Sequence, residues 1–347
     1  MMGIRAMLAA WLLAFSLVSP SHVAASSGHA LPLRLVTDIP VRAAGAALGR
    51  PTLRMDYETI DPLRRMLYVA YLGAGEIIVF NLDSNEVVAH IQNLPGVHGT
   101  LAIPDLHRLY ASATGVDQVA SIDQRTLKVT ARAAGGDYPD GIAYDPDDHR
   151  IFVSDEHGAT DTVVDTNTNK TLETINLGGE VGNTQYDSKA RRVYSDVQTR
   201  NQVVAINPTT DRVVARYALP GCNHDHGLML DVRRRLAFIA CDGNARLLVM
   251  DIGTWKERAT YPVGDGPDVM ALDEGLGRLY VAAESGIVSI FQESGRTLEP
   301  IGRAFLANEA HTVAVDPVTH LVYFALQNVS GRPVIRVMAP ATSRRTR

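Results

Sequence analysis

Along most of the chain apolar and polar residues alternate with a period of two. Ile142 with Tyr144, and Ile151 with Val153, mark two such stretches, joined by a turn rich in Asp, Pro and Arg. Thr162 to Val164 and Leu172 to Ile175 supply two more. Between them lies Asp165-Thr166-Asn167-Thr168-Asn169, whose side chains favour turns. No sustained helical stripe follows the first thirty residues. The period therefore predicts short, half-buried strands in groups of four.

The group recurs. An Asp followed seven residues on by an aromatic appears as Asp61/Tyr68, Asp145/Phe152, Asp187/Tyr194, Asp231/Phe238, Asp273/Tyr280 and Asp316/Tyr323. Tyr110 keeps the frame with Ile103 in place of the Asp. Twelve residues before each aromatic stand Asp56, His98, Asp140, Gly182, His226, Asp268 and His311, with gaps of 42, 42, 42, 44, 42 and 43. Twenty-five residues after that anchor come Asn81, Asp123, Asp165, Asn207, Asp251 and Glu293; only Arg336 departs. Four strands in each of seven repeats predict an all-β, seven-bladed β-propeller with four-stranded antiparallel blades. The last repeat supplies only three strands. Leu33 to Thr37 is the expected fourth, closing the ring and hiding both sheet edges. This makes one domain over residues 31–340, with a longer Ala/Gly loop at 43–51 and a basic, disordered tail at 341–347.

The first residues read as an address. Arg5, the apolar run from Ala6 to Val18, the Ser19-Pro20 break and Val23-Ala24-Ala25 form a cleavable signal peptide over residues 1–25. The run is too short to span roughly 30 Å of hydrocarbon, and no later stretch reaches about 18 apolar residues, so no membrane insertion is expected. No cysteine near the cleavage site offers lipid attachment. A periplasmic or secreted protein follows. Its apolar fraction of 46 % is that of a globular chain. Losing Arg5 leaves 32 basic residues against 38 acidic, a net charge of −6. That balance argues against a nucleic-acid partner.

In a propeller the innermost strand begins on the face where the second strand ends. The seven anchors, with Asn183 beside Gly182, therefore share one face with the residues sixteen further on, Leu72, Thr114, Glu156, Gln198, Asp242, Glu284 and Gln327. Three histidines and six carboxylates gather there. The candidate ligand-binding set is Asp56, His98, Asp140, Asn183, His226, Asp268 and His311, with Glu156 and Asp242 on the outer ring. Candidate metal ligands are His98, His226 and His311, together with His224 of Cys222-Asn223-His224-Asp225-His226, because imidazole suits Zn, Cu or Fe. The plainer reading is that these side chains cap the open ends of inner strands. Glu58 is the one acid inside an inner strand; it would hold a cation with Asn183 and Asp268, or simply stand in a watery channel.

The opposite face carries Arg64, Arg65, Arg108, Arg150, Arg191, Arg192, Arg233, Arg234, Arg235 and Arg278, in the same turns as Asp61, Asp145, Asp187, Asp231 and Asp273. Pairing between them would cancel most of the positive field. Cys222 and Cys241, the only cysteines, both fall near the upper rim, and in an oxidising compartment a disulfide is expected. Thiolate metal ligation beside His224 would require reduced cysteines.

Asp145-Pro146 with Arg150-Ile151-Phe152-Val153, Arg278-Leu279-Tyr280-Val281 and Arg65-Met66-Leu67-Tyr68-Val69 resemble the repeats of the YVTN-type (YncE-like) propellers of exported bacterial and archaeal proteins. The resemblance covers about residues 31–340, although no repeat reads Tyr-Val-Thr-Asn. It implies a seven-bladed exported propeller and little chemistry. There is no Gly-rich phosphate loop, His-Glu-x-x-His, Gly-x-Ser-x-Gly or Cys-x-x-Cys-His motif. Trp255 is the only tryptophan after the leader, which excludes repeats built on a tryptophan per blade. The sequons at Asn169 and Asn328 read as turn residues.

The resulting expectation is a non-catalytic, monomeric propeller that binds a small ligand or protein partner on its His/Asp-rich upper face. The alternative is a metal-dependent hydrolase or lyase resembling the gluconolactonase or streptogramin-lyase propellers. There a divalent ion on the axis would polarise a carbonyl, with His226 and Glu284 or Asp268 as acid–base groups. A third reading has the arginine-rich face hold nucleic acid or another acidic polymer. A divalent metal is the only cofactor these residues suggest.

Overall fold

The computed structural model describes residues 30–42 and 54–341. The expected leader, the 43–51 loop and the tail beyond residue 341 lie outside the described residues. Among those described, 28 strands form seven four-stranded antiparallel sheets. Blade one consists of Glu58–Asp61, Met66–Tyr71, Glu76–Asn81 and Glu86–Ile91, each strand pairing with the next. Blade seven is built from both ends of the chain, as expected. Leu33–Pro40 pairs antiparallel with Arg332–Pro340, and Arg336 grips Asp38 through two bonds of 2.7 Å. Helical structure among the described residues is confined to five three-residue 3-10 turns.

Two of the three repeat registers have one cause, a side-chain oxygen that accepts the N–H groups of its own turn. Asp61 accepts from Leu63 and Arg64, each at 2.9 Å, and Asp145, Asp187, Asp231, Asp273 and Asp316 do the same work in their blades. Where Ile103 breaks the series, Pro104–Leu106 forms a 3-10 turn instead. Asn81, Asp123, Asp165, Asn207 and Asp251 close the next hairpin in the same way. The third register, the aromatic, is core. Tyr68 packs with Leu109, Ala111 and Ala120 of blade two, and Tyr323 of blade seven packs with Leu67, Val69 and Phe80 of blade one. Each blade thus buries its apolar faces against its neighbours, at about 1.5–3 kcal/mol for a large side chain.

On the lower face the residue nine after each anchor has positive φ: Arg65, His107, His149, Arg191, Arg235, Gly277 and His320. Several reach back to the preceding blade. Arg65 bonds both oxygens of Asp316 at 2.8 and 2.7 Å, Arg235 bonds Asp187 at 2.6 Å, and His320 meets Asp273 at 2.9 Å. Arg234 pairs with Asp231 and Glu293, Arg150 with Asp211, and Arg191 with Asp147 and Asp148. The expected pairing of turn arginines with acids is present.

Candidate functional site

The inner strands open into a cavity of about 370 Å³ on the upper face, lined by Arg54, Asp56, Tyr57, Tyr138, Asp140, Glu156, His98, His224, His226, Asp242, Asp268 and Glu284 among others. Close approach of the inner strands makes the funnel narrow. At Gly99 and Gly227 a Cβ would fall well inside contact distance of the Asp140 and Asp268 backbone oxygens of the next blade. The glycines therefore set how near those acids stand to the axis.

The anchors fall into distinct groups. Asp56, Asp268 and His311 converge from blades one, six and seven, with one potential ligand atom from each within 4.8 Å of the others. His311 Nε2 lies 4.0 Å from Asp56 Oδ1, and His226 Nε2 lies 3.2 Å from Asp268 Oδ1. Arg54 pairs with Asp56 at 3.3 Å and with Glu284 at 3.1 Å. His98 is turned elsewhere. Its Nδ1 meets the Gly96 carbonyl at 2.8 Å and its Nε2 meets the Tyr138 hydroxyl at 3.1 Å, with His157 against the other side of the phenol. His224 lies 3.3 Å from Asp242 on the rim. Gln198 donates to Glu156 at 3.3 Å. Of the four candidate metal histidines, only His311 joins the tight cluster, and His226 stands on its edge.

Asn183 spans the ring. Its Nδ2 donates to the Tyr57 hydroxyl at 2.6 Å and to the His226 carbonyl at 3.3 Å. Tyr57 lines both the upper cavity and a second cavity of about 220 Å³ within the channel, which includes Glu58 and Asn183. Glu58 is not in the Asp56 cluster; it accepts the Ala325 N–H of blade seven at 3.2 Å.

Charge in the cavity is strongly organised. Burial opposes ionisation of His226, but the adjacent Asp268, with Asp140 and Asp196, holds its pKa well above the ordinary value. Burial likewise works against the Asp268 carboxylate, yet His226, His311 and Arg54 keep it below the usual range. In this pair each group favours the charged form of the other. Asp140 goes the other way: burial and the nearby Asp56 push it well up. Burial, reinforced by Asp140, also lifts the Tyr57 hydroxyl, and Tyr138 is pushed up to about 12 for the same reasons.

Among solved structures, this one is similar to hydrazine synthase from Kuenenia stuttgartiensis, at 15 % identity and a TM-score of 0.72, covering 85 % of this chain and 99 % of that one. It is also similar to the WD40 repeats of RRP9, at 11 % identity and a TM-score of 0.71, covering 90 % of this chain and 98 % of that one. The likeness is one of fold. No protein-family model matches the chain, and no curated protein sequence does. The seven-bladed architecture expected from the repeats therefore stands, while the finer YVTN kinship has no family model behind it.

Cys222 and Cys241 form the expected disulfide, with Cα atoms 5.4 Å apart. It ties the loop bearing His224, which leads into the inner strand that carries His226, to the end of the second strand of blade five. No helix among the described residues is long and apolar enough to cross a membrane.

Apart from Pro267, three cavity residues lay outside the sequence-derived set. Arg54 precedes the first anchor and has no counterpart in the repeat arithmetic. Tyr138 stands two residues before an anchor. Tyr57 had a readable signal, since the position after the anchor is Gly99, Gly141, Asn183, Gly227, Val269 or Thr312 in the other blades. A tyrosine there is the bulky exception, and it fills the axis.

Proposed function

We propose that the protein is an exported, non-catalytic propeller of the YVTN type that captures a small, positively charged ligand in its upper-face cavity. The observation that carries this reading is the cavity lining: six acid side chains, Asp56, Asp140, Glu156, Asp242, Asp268 and Glu284, against Arg54 and the histidines. Asp140 Oδ1 is buried there without a hydrogen-bond partner, a group that costs free energy until something donates to it. Tyr57 and Tyr138 also line the cavity. The disulfide supports an oxidising compartment. The lower face is a poorer candidate for an acidic polymer, because Arg64, Arg65, Arg234 and Arg235 are engaged by acids of the same and neighbouring turns.

The test is calorimetric titration with a panel of small amines, divalent cations and matched anions. Binding of at least one cationic probe, weakened tenfold or more by Asp140→Asn with Glu156→Gln, is the expected result. Preference for anions, or no binding of any cation, refutes the reading.

A further inference from the structure

We infer that the floor of this cavity is a divalent transition-metal site, formed by His311 Nε2 and one carboxylate oxygen each from Asp56 and Asp268. The inference rests on the cation-binding reading above and names the cation. Three facts support it independently. The ligand atoms lie within 4.8 Å of one another on three different blades, and His311 Nε2 is 4.0 Å from Asp56 Oδ1. Metal bonds of about 2.1 Å place tetrahedral donors about 3.4 Å apart, so only a small inward movement of side chains is needed.

The second fact is the state of His311. Its side chain is 0 % exposed, and Nδ1 lies 2.9 Å from the Glu309 carbonyl. A carbonyl only accepts, so Nδ1 donates to it, and Nε2 is the ring atom turned toward the carboxylates. Nε2 has no hydrogen-bond partner. A buried imidazole whose far nitrogen is fixed by a carbonyl while the near one faces two carboxylates is how proteins orient a metal-binding histidine.

The third fact is the support around the ligands. Arg54 lies 3.3 Å from Asp56, and His226 lies 3.2 Å from Asp268, so both carboxylates are held in place by groups outside the cluster. One imidazole with two carboxylates is a mixed nitrogen–oxygen set. It suits Zn²⁺, Mn²⁺, Fe²⁺ or Co²⁺ better than Ca²⁺ or Mg²⁺, which take oxygen ligands. Three protein ligands leave positions open toward the cavity.

The experiment uses the mature chain, stripped with chelator and titrated with Zn²⁺, Co²⁺, Ca²⁺ and Mg²⁺ singly. One equivalent of Zn²⁺ should bind at least 100-fold more tightly than Ca²⁺ or Mg²⁺. His311→Gln and Asp56→Asn should each weaken Zn²⁺ at least 100-fold, while His107→Gln on the lower face leaves it unchanged. X-ray absorption on the zinc-loaded parent reads the donors without any variant, so the test survives if a variant fails to fold. Imidazole with oxygen neighbours supports the assignment; sulfur, or a shell without imidazole, overturns it. Zinc retained in both ligand variants also overturns it. If no transition metal binds but an organic cation does, the metal site falls and the cation-binding reading stands. If neither binds, both fall.

Discussion

Glu58 stands in the innermost strand of blade one, where the other blades hold Thr100, Ile142, Thr184, Leu228, Met270 and Val313. Its Oε1 accepts the Ala325 N–H, and its Oε2 is buried without a partner. Burial pushes its pKa from 4.5 up to about 8, although the Ala325 bond favours the carboxylate. The folded state therefore keeps this proton to higher pH than the unfolded state does. Stability from that difference is complete below pH 4.5 and is lost as the pH rises through about 8. Each pH unit in the window removes about 1.4 kcal/mol, so moving from pH 5 to pH 8 removes about 4 kcal/mol. Glu58→Gln keeps the shape and the acceptor for Ala325 but does not titrate. The variant should therefore gain on the parent by about 4 kcal/mol across that interval. With roughly 300 ordered residues, each contributing about 2.1 cal/mol/K of unfolding entropy, the gain corresponds to about 6 °C in Tm. Scanning calorimetry of both proteins at pH 5 and pH 8 measures it. A gap between parent and variant that stays constant with pH, or a variant less stable than the parent at pH 8, refutes the argument.

The parent alone should lose stability over the same interval, because Asp161, Asp225 and Glu293 are also raised, to about 8, 7 and 7, mainly by burial; urea midpoints that rise from pH 5 to pH 8 would contradict this. Reducing the Cys222–Cys241 bond, 19 residues apart, should cost about 3 kcal/mol by the loop-entropy estimate, read as a lower urea midpoint in reductant. Arg65→Ala leaves Asp316, fully buried, without its guanidinium and should cost about 3 kcal/mol; Arg65→Lys should recover only part of it, since an ammonium lacks the planar two-donor fork that matches the two carboxylate oxygens. Gly227→Ala crowds the Asp268 backbone and should destabilise by about 1–3 kcal/mol, while weakening cavity ligands more than a substitution on the lower face does.

The fold was legible because what sets it is local and repeated. An Asp that accepts its own turn's N–H groups, and a residue of positive φ four positions on, specify each hairpin without help from the rest of the chain. The missing fourth strand of the last repeat followed from counting, and the disulfide from two cysteines near one rim. The site was legible only as a ring of positions. Spacing placed His98, His226 and His311 around the axis, but it could not show that His98 turns to Tyr138 and His224 to Asp242. Those partners are set by side-chain rotamers and by strands from neighbouring blades. Arg54 escaped because it precedes every landmark of the first repeat.

Several residues that break the repeat pattern gather near one place, the seam between blades seven and one. Glu58 reaches Ala325 across it, and Arg336 fastens Asp38 beside it. Arg54, Asp56 and Tyr57 stand on one side of the same seam and His311 on the other. The seam has a physical reason to be special. Each of the other blades is one continuous run of chain, whereas blade seven is completed only by pairing the two chain ends. A ligand held by Asp56 together with His311 bridges the joint that covalent structure leaves weakest. Binding there favours the closed ring over any opened one by mass action. Conversely, a substitution that loosens Leu33–Pro40 should lower cavity affinity without touching the cavity, because it moves Asp56 and His311 apart.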